Sequence, residues 1–212
     1  VWTERTALIS ADKLVQNDCH RNCSFFGYYV NNTDLYLQEV NVMEQHFRML
    51  AAYNRWVNQR LYAAAAELDD EEYRRDVRAF FTSLHGTLNH LLVTDRIWLY
   101  RFTGEGDAPK ALDATLFEKL DALKAAREKE DARIIDWVNS LDSSDIAGRF
   151  TYTTVSDMRT ISQRLAPALS HLFNHQTHHR GQAHAILTAL GKAAPSFDLI
   201  QFQRTEEGRP HS

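Results

Sequence analysis

The stretch His171-Leu-Phe-Asn-His175-Gln-Thr-His178-His179-Arg180-Gly181-Gln182 carries four of the ten histidines of a 212-residue chain, and its spacing reads as helix. Residues four apart on an α-helix lie about 40° from one another around the axis, so His175 and His179 point the same way, one turn apart. Around the same axis Ala168, Gln182 and Ile186 fall within about 20° of His175, and Leu172 and Leu190 at about 60°. The pair therefore sits on a stripe that faces a protein interior. His171 and His178 lie on one flank of that stripe, and His184, about 180° away, is expected to face solvent. An inward-facing pair of imidazoles one turn apart is the geometry two ligands need to hold one metal ion. The pairs His171/His175 and His175/His178 meet the same requirement, so spacing leaves the choice open.

Outward from this segment the apolar period stays near 3.6. A first helix over roughly 43–67 carries Phe47, Leu50, Ala51, Trp56 or Val57, and Leu61, with Asn41 and Glu44 as cap and first-turn acid. A second, over roughly 72–103, places Phe80, Leu84, Leu88, Leu91, Trp98 and Phe102 on one face until Gly104 and Gly106 break it. Thr115 and Glu118 have capping-box spacing and open a third helix that runs to about 139. Arg149–Val155 alternates and is β-branched, so it reads as a short strand or extended crossover. The last helix begins within a turn of Pro167 and ends at Gly191. Four long helices with a lengthy connection before the last predict an all-α four-helix bundle.

A third ligand must come from another helix. His85 and His90 stand on opposite flanks of the second helix, and spacing does not choose between them. Asp95 lies near the middle of the same apolar face, where a bare carboxylate is costly. An arginine from another helix is its plainer partner, and a bond to a ligand histidine the less plain one. Arg180 reads as a holder of an anionic substrate or as a partner of Asp95 or Asp198. Tyr53, Asn54 and Trp56 suit packing better than a pocket mouth. His46 and His211 read as ordinary structural residues.

Composition bounds the rest. With 44% apolar and 25% charged residues the chain can bury one substantial core. A net charge of −4 with dispersed basic residues gives no general attraction to nucleic acid. No apolar run approaches the ~18 residues of a membrane span, and no secretory signal opens the chain, so a cytoplasmic location is expected. The two cysteines, Cys19 and Cys23, flank His20 without a second Cys or His pair at zinc-ribbon spacing, so neither a disulfide framework nor a structural zinc site is expected. Residues 1–41 are weakly periodic and read as an extension or an upstream-derived segment before Met43. The bundle proper is placed at 42–204 and a tail at 205–212.

Several chemistries are excluded by single residues. His175-Gln-Thr-His178-His179 resembles the zinc-protease pattern His-Glu-x-x-His, but Gln176 stands where the catalytic glutamate is needed. The chain has no Gly-x-Ser-x-Gly elbow and no Gly-x-Gly-x-x-Gly loop.

Taken together, Tyr53-Asn54-Arg55-Trp56-Val57-Asn58, Leu88-Asn89-His90 through Asp95-Arg96-Ile97-Trp98, Asn174-His175 through Gln182, and Phe197-Asp198-Leu199-Ile200-Gln201-Phe202 resemble the DinB family of the DinB/YfiT-like superfamily. The resemblance covers about residues 43–204. It implies a four-helix bundle, often a homodimer, in which His90, His175 and His179 bind a divalent metal such as zinc or nickel, with His85, His171 and His178 outside the coordination sphere. It also implies a role in stress response or detoxification of small molecules, since relatives in the superfamily transfer or isomerise with a low-molecular-weight thiol. A thiol S-transferase or a hydrolase is the expected enzyme. A metal-binding stress protein whose ion stabilises the bundle without turnover is the alternative.

Overall fold

The computed structural model describes residues 32–154 and 157–211, with side chains from residue 42. Cys19, His20, Cys23 and most of the expected amino-terminal extension lie outside the described residues. The chain folds as a bundle of four long helices, α1 (Asn32–Ala65), α3 (Leu84–Thr103), α4 (Leu120–Ser140) and α6 (Leu165–Ala189). Short helices α2 (Asp70–Arg74), α5 (Ser143–Ala147) and α7 (Leu199–Gln203) and one hairpin, β1 (Arg149–Thr153) with β2 (Thr160–Arg164), complete it.

Three boundaries differ from the sequence expectation, each for a local reason. The first helix starts at Asn32 and passes straight through Asn41, so Asn41 is not a cap. No glycine or proline interrupts residues 32–65, and nothing stops the helix. The expected second helix over 72–103 is two. Asp69 and Glu72 form a reciprocal capping box for α2, and Ser83 caps α3 by accepting from the Gly86 N–H at 3.2 Å. Between them the chain turns sharply through Arg78 and Thr82, both at positive φ (59° and 63°). Phe80, expected on the core face, is instead 82% exposed.

The expected third helix from Thr115 starts only at Leu120. Buried Asn89 holds the segment before α4 in another conformation: its Oδ1 accepts from Leu116 N (2.8 Å) and Phe117 N (3.0 Å). Its Nδ2 donates to the His85 and Phe117 carbonyls. Glu118, the proposed capping acid, pairs with Arg74 at 3.0 Å. The strand expected at 149–155 is β1, ending at Thr153, and its antiparallel partner β2 pairs Phe150 with Gln163 and Tyr152 with Ile161.

The last helix begins two residues before Pro167, where a missing N–H costs nothing. It ends as expected at Gly191: φ is +74°, Gly191 N–H donates to the Thr188 carbonyl and Lys192 N–H to that of Leu187. This is the left-handed glycine closure that satisfies the last carbonyls of a helix.

Two apolar clusters fill the bundle, and a third, with Met49, Tyr53, Trp56 and Phe202, lies between α1 and α7. Of the first two, one gathers Leu61, Tyr62, Leu84, Leu88, Leu123 and Leu187, the other Phe47, Leu99, Ile134, Val138, Leu169 and Phe173. Chain order through them shows that α1 and α6 run one way and α3 and α4 the other. The return from α3 to α4 is therefore a long crossover, Gly104–Lys119, in addition to the expected connection before α6. Between the clusters lies a buried polar layer with members from all four helices. Arg127 bridges Asp95 (2.7 Å) and Asp131 (3.0 Å), Asn54 and Asn58 donate to Asp131, and Arg180 donates to Asn54. Two aspartates face two arginines, so the layer is electroneutral. Residues 205–211 pack back on α1, with Glu207 2.6 Å from Arg55.

Candidate metal centre

Helix α3 delivers His90 and helix α6 delivers His175 and His179 to one point. The Nε2 atoms of His90 and His179 are 3.2 Å apart and those of His179 and His175 3.1 Å apart. The three donors lie within 4.8 Å of one another. A tetrahedral ion with metal–nitrogen distances of about 2.0–2.1 Å needs donors ~3.3 Å apart, close to what is found.

The outer nitrogens are already committed. His90 Nδ1 is 2.7 Å from the Leu112 carbonyl, which can only accept, so the ring carries its proton there. His179 Nδ1 is likewise 2.7 Å from Gln182 Oε1. Both Nε2 atoms of the neutral rings therefore present lone pairs toward each other, an arrangement that a cation between them could satisfy. Protons are poor candidates. Burial pushes His90 down from 6.5 to about 4, and burial followed by the neighbouring imidazoles pushes His175 to about 3. His179 is lowered by burial as well. Neutral imidazoles with fixed outer hydrogen bonds are the donor state a divalent ion takes.

The remaining histidines are outside this point. His85 bonds the Phe117 carbonyl at 3.1 Å and meets the edge of Tyr73. His171 packs against Trp98, and His178 contacts Gln182 at 3.2 Å. His184 is half-buried against Phe197 rather than free in solvent. His211 stacks on Phe202 and His46 meets Phe47 edge-on.

Asp95 has the interhelical arginine partner expected of it, Arg127, and also accepts from Gln176. Arg180 pairs directly with neither Asp95 nor Asp198. It donates to Asn54 and lies 5.5 Å above the Tyr53 ring. Tyr53 and Trp56 pack with Phe202, as the packing reading has it.

Three contributors escaped the sequence reading: Phe81, stacked on His90 with centroids 3.8 Å apart, the Leu112 carbonyl, and Gln182 as partner of His179. Gln182 carried a signal, since it lies three residues beyond His179 on the same face. A carbonyl on a crossover loop carries none.

The triad opens into a cavity of about 420 Å³ lined by Phe80, Phe81, Leu112, Asp113, His178 and Gln182. A larger one, about 510 Å³, is lined by Tyr53, Arg180, His184 and Asp198. Two of its polar groups are already engaged, Tyr53 on the Phe197 carbonyl and Arg180 on Asn54. The smaller cavity, with converging donors at its floor, is the candidate site.

An antiparallel and parallel mix of four helices with an imidazole triad between two of them defines a class of helical protein with a potential metal centre. The DinB family profile matches residues 43–210, and the chain belongs to the DinB family. Protein DinB of Bacillus subtilis strain 168 is 30% identical over 157 residues, covering 70% of this chain and 88% of that one. The crystal structure of a DinB-like protein from Bacillus cereus ATCC 10987 superposes with a TM-score of 0.52 at 16% identity, over 66% of this chain and 89% of that one. Among the described residues no helix is long and apolar enough to cross a membrane.

Proposed function

We propose that His90, His175 and His179 bind one divalent ion, zinc or nickel, and that the protein is a metal-dependent enzyme of stress response or detoxification, working by thiol transfer or hydrolysis. The convergence of three Nε2 donors, two of them with outer nitrogens locked, carries this reading. Three protein ligands leave coordination positions free, as catalytic sites do and closed structural sites do not. When bound, such an ion acidifies a water or thiol beside it and supplies a nucleophile at neutral pH. The chain's own part is to orient: Leu112 and Gln182 hold two rings in one tautomer, and Phe81 covers the face of His90.

Activity tests this directly. Zinc- or nickel-loaded protein is offered a small electrophile with and without a low-molecular-weight thiol. Metal-dependent consumption of the thiol supports transfer, and metal-dependent turnover without it supports hydrolysis. Metal-dependent stability with no turnover of either kind supports the second reading, a metal-binding stress protein, for which the open cavity has no use. A homodimer is part of the proposal, and sedimentation giving a monomer at micromolar concentration removes it.

A further inference from the structure

Phe80 stands 82% exposed at the mouth of the triad's cavity. Its position is built in. Arg78 and Thr82 hold the left-handed backbone that residues other than glycine rarely adopt, and Val77 N–H donates to the Thr82 carbonyl at 2.9 Å and Thr82 N–H to that of Ala79 at 2.8 Å. The turn is seated so tightly on α3 that a Cβ on Gly86 would collide with the Phe81 carbonyl. A benzyl ring kept in water forgoes the stabilisation of burial, and the left-handed turn adds to that cost. A ligand that covers the ring gives the arrangement a purpose.

From Phe80 the aromatic surface runs unbroken to the donors. Phe80 meets Phe81 edge-on at 4.9 Å, and Phe81 stacks on His90 at 3.8 Å. Leu112, 51% exposed, adds an aliphatic surface to the same cavity. None of the described lining residues is Lys or Arg, and Asp113 contributes the one formal charge. The protein thus adds no cation of its own to the site, and what it supplies toward a ligand's body is apolar surface. At about 420 Å³ the cavity suits a small molecule.

We infer that this pocket admits a molecule with a ring-sized apolar body, laid against Phe80 and Phe81, and one donor atom directed at the triad. The inference rests on the metal reading above. The donors at the cavity floor favour a small molecule as the occupant.

The test uses nickel-loaded full chain and three probes with the same donor ring, imidazole, 1-benzylimidazole and imidazole-1-acetate, titrated by calorimetry. The benzyl probe is expected to bind about 10-fold tighter than imidazole, and tighter than the acetate, which has no apolar body to lay on the aromatic wall. Phe80→Ala should cut the benzyl advantage to under about threefold while imidazole affinity and nickel content hold. Equal affinities for the three probes, or a benzyl advantage untouched by Phe80→Ala, overturn the inference. If Phe80→Ala dissociates a dimer in sedimentation and leaves the benzyl advantage intact, the ring belongs to a subunit interface and the substrate proposal falls. Failure to take up nickel appears in elemental analysis before any titration; it is the failure of the metal reading and brings this one down with it.

Discussion

Gln182 shows how much a single amide controls at the triad. Its Oε1 accepts from His179 Nδ1 and thereby turns the Nε2 lone pair toward the other two rings. Replacing Gln182 with Leu should weaken zinc affinity about 10–100-fold while leaving the fold intact, as competition with a chromophoric chelator beside circular dichroism would show. Unchanged affinity would mean that the amide has no part in the site. The triad also sets a pH dependence for metal-free protein. His90 and His175 are held near 4 and 3, below the 6.5 of an unfolded histidine, so acidification protonates the unfolded chain first. Their contribution is complete above about 6.5 and is lost as pH falls toward the folded values. In chelator, the melting temperature of the parent should therefore fall more steeply between pH 6.5 and 4 than that of His175→Gln, and parallel curves would contradict the assignment. At this scale the sequence was informative. Helical period put His175 and His179 on one inward stripe but left His171 and His178 as rival partners, and the resemblance singled out His90, His175 and His179, which the structure brings to one point. The Leu112 carbonyl was invisible because a backbone acceptor 22 residues away on a loop leaves no side-chain pattern.

Among the elements, the break between α2 and α3 matters most to the site. It was missed because Tyr73, Val77, Phe80 and Leu84 keep a helical period while the backbone between them turns back on itself. The legible signals were local, Asp69 with Glu72 and Ser83 with Gly86, and both are caps. Gly86 gives the sign test. Alanine at an ordinary exposed helical glycine stabilises by up to ~1 kcal/mol. At Gly86 the added Cβ meets the Phe81 carbonyl, so Gly86→Ala should instead destabilise, by about 1–3 kcal/mol in denaturant melts, and loosen Phe81 from His90. A stabilised variant would show that the turn yields without cost. The late start of α4 has a similar origin: the Phe117 carbonyl, which a helix from Thr115 would turn to the Asp121 N–H, accepts instead from buried Asn89.

For the whole molecule, the polar layer between the two apolar clusters fixes how the four helices register. Pairing of Asp95 and Asp131 with Arg127 was legible only as a requirement, since the sequence showed that Asp95 must have a partner and not which arginine supplied it. Arg127 is 1% exposed, and Arg127→Met would strand two buried carboxylates. A loss of about 3–5 kcal/mol is expected by urea unfolding, and a loss below ~1 kcal/mol would show that the aspartates find other partners. The layer also includes Gln176, which donates to Asp95 and to the Leu91 carbonyl and so joins α6 to α3 beside the triad. The bundle's register and the convergence of its imidazoles are thus consequences of the same packing. The most direct test of that convergence is metal content by elemental analysis after incubation with zinc or nickel, on the parent and on His90→Ala, His175→Ala and His179→Ala. One ion per chain in the parent, with a large loss in each variant, is the predicted result. A parent that retains no ion, or variants that retain as much as the parent, would contradict the three-histidine centre.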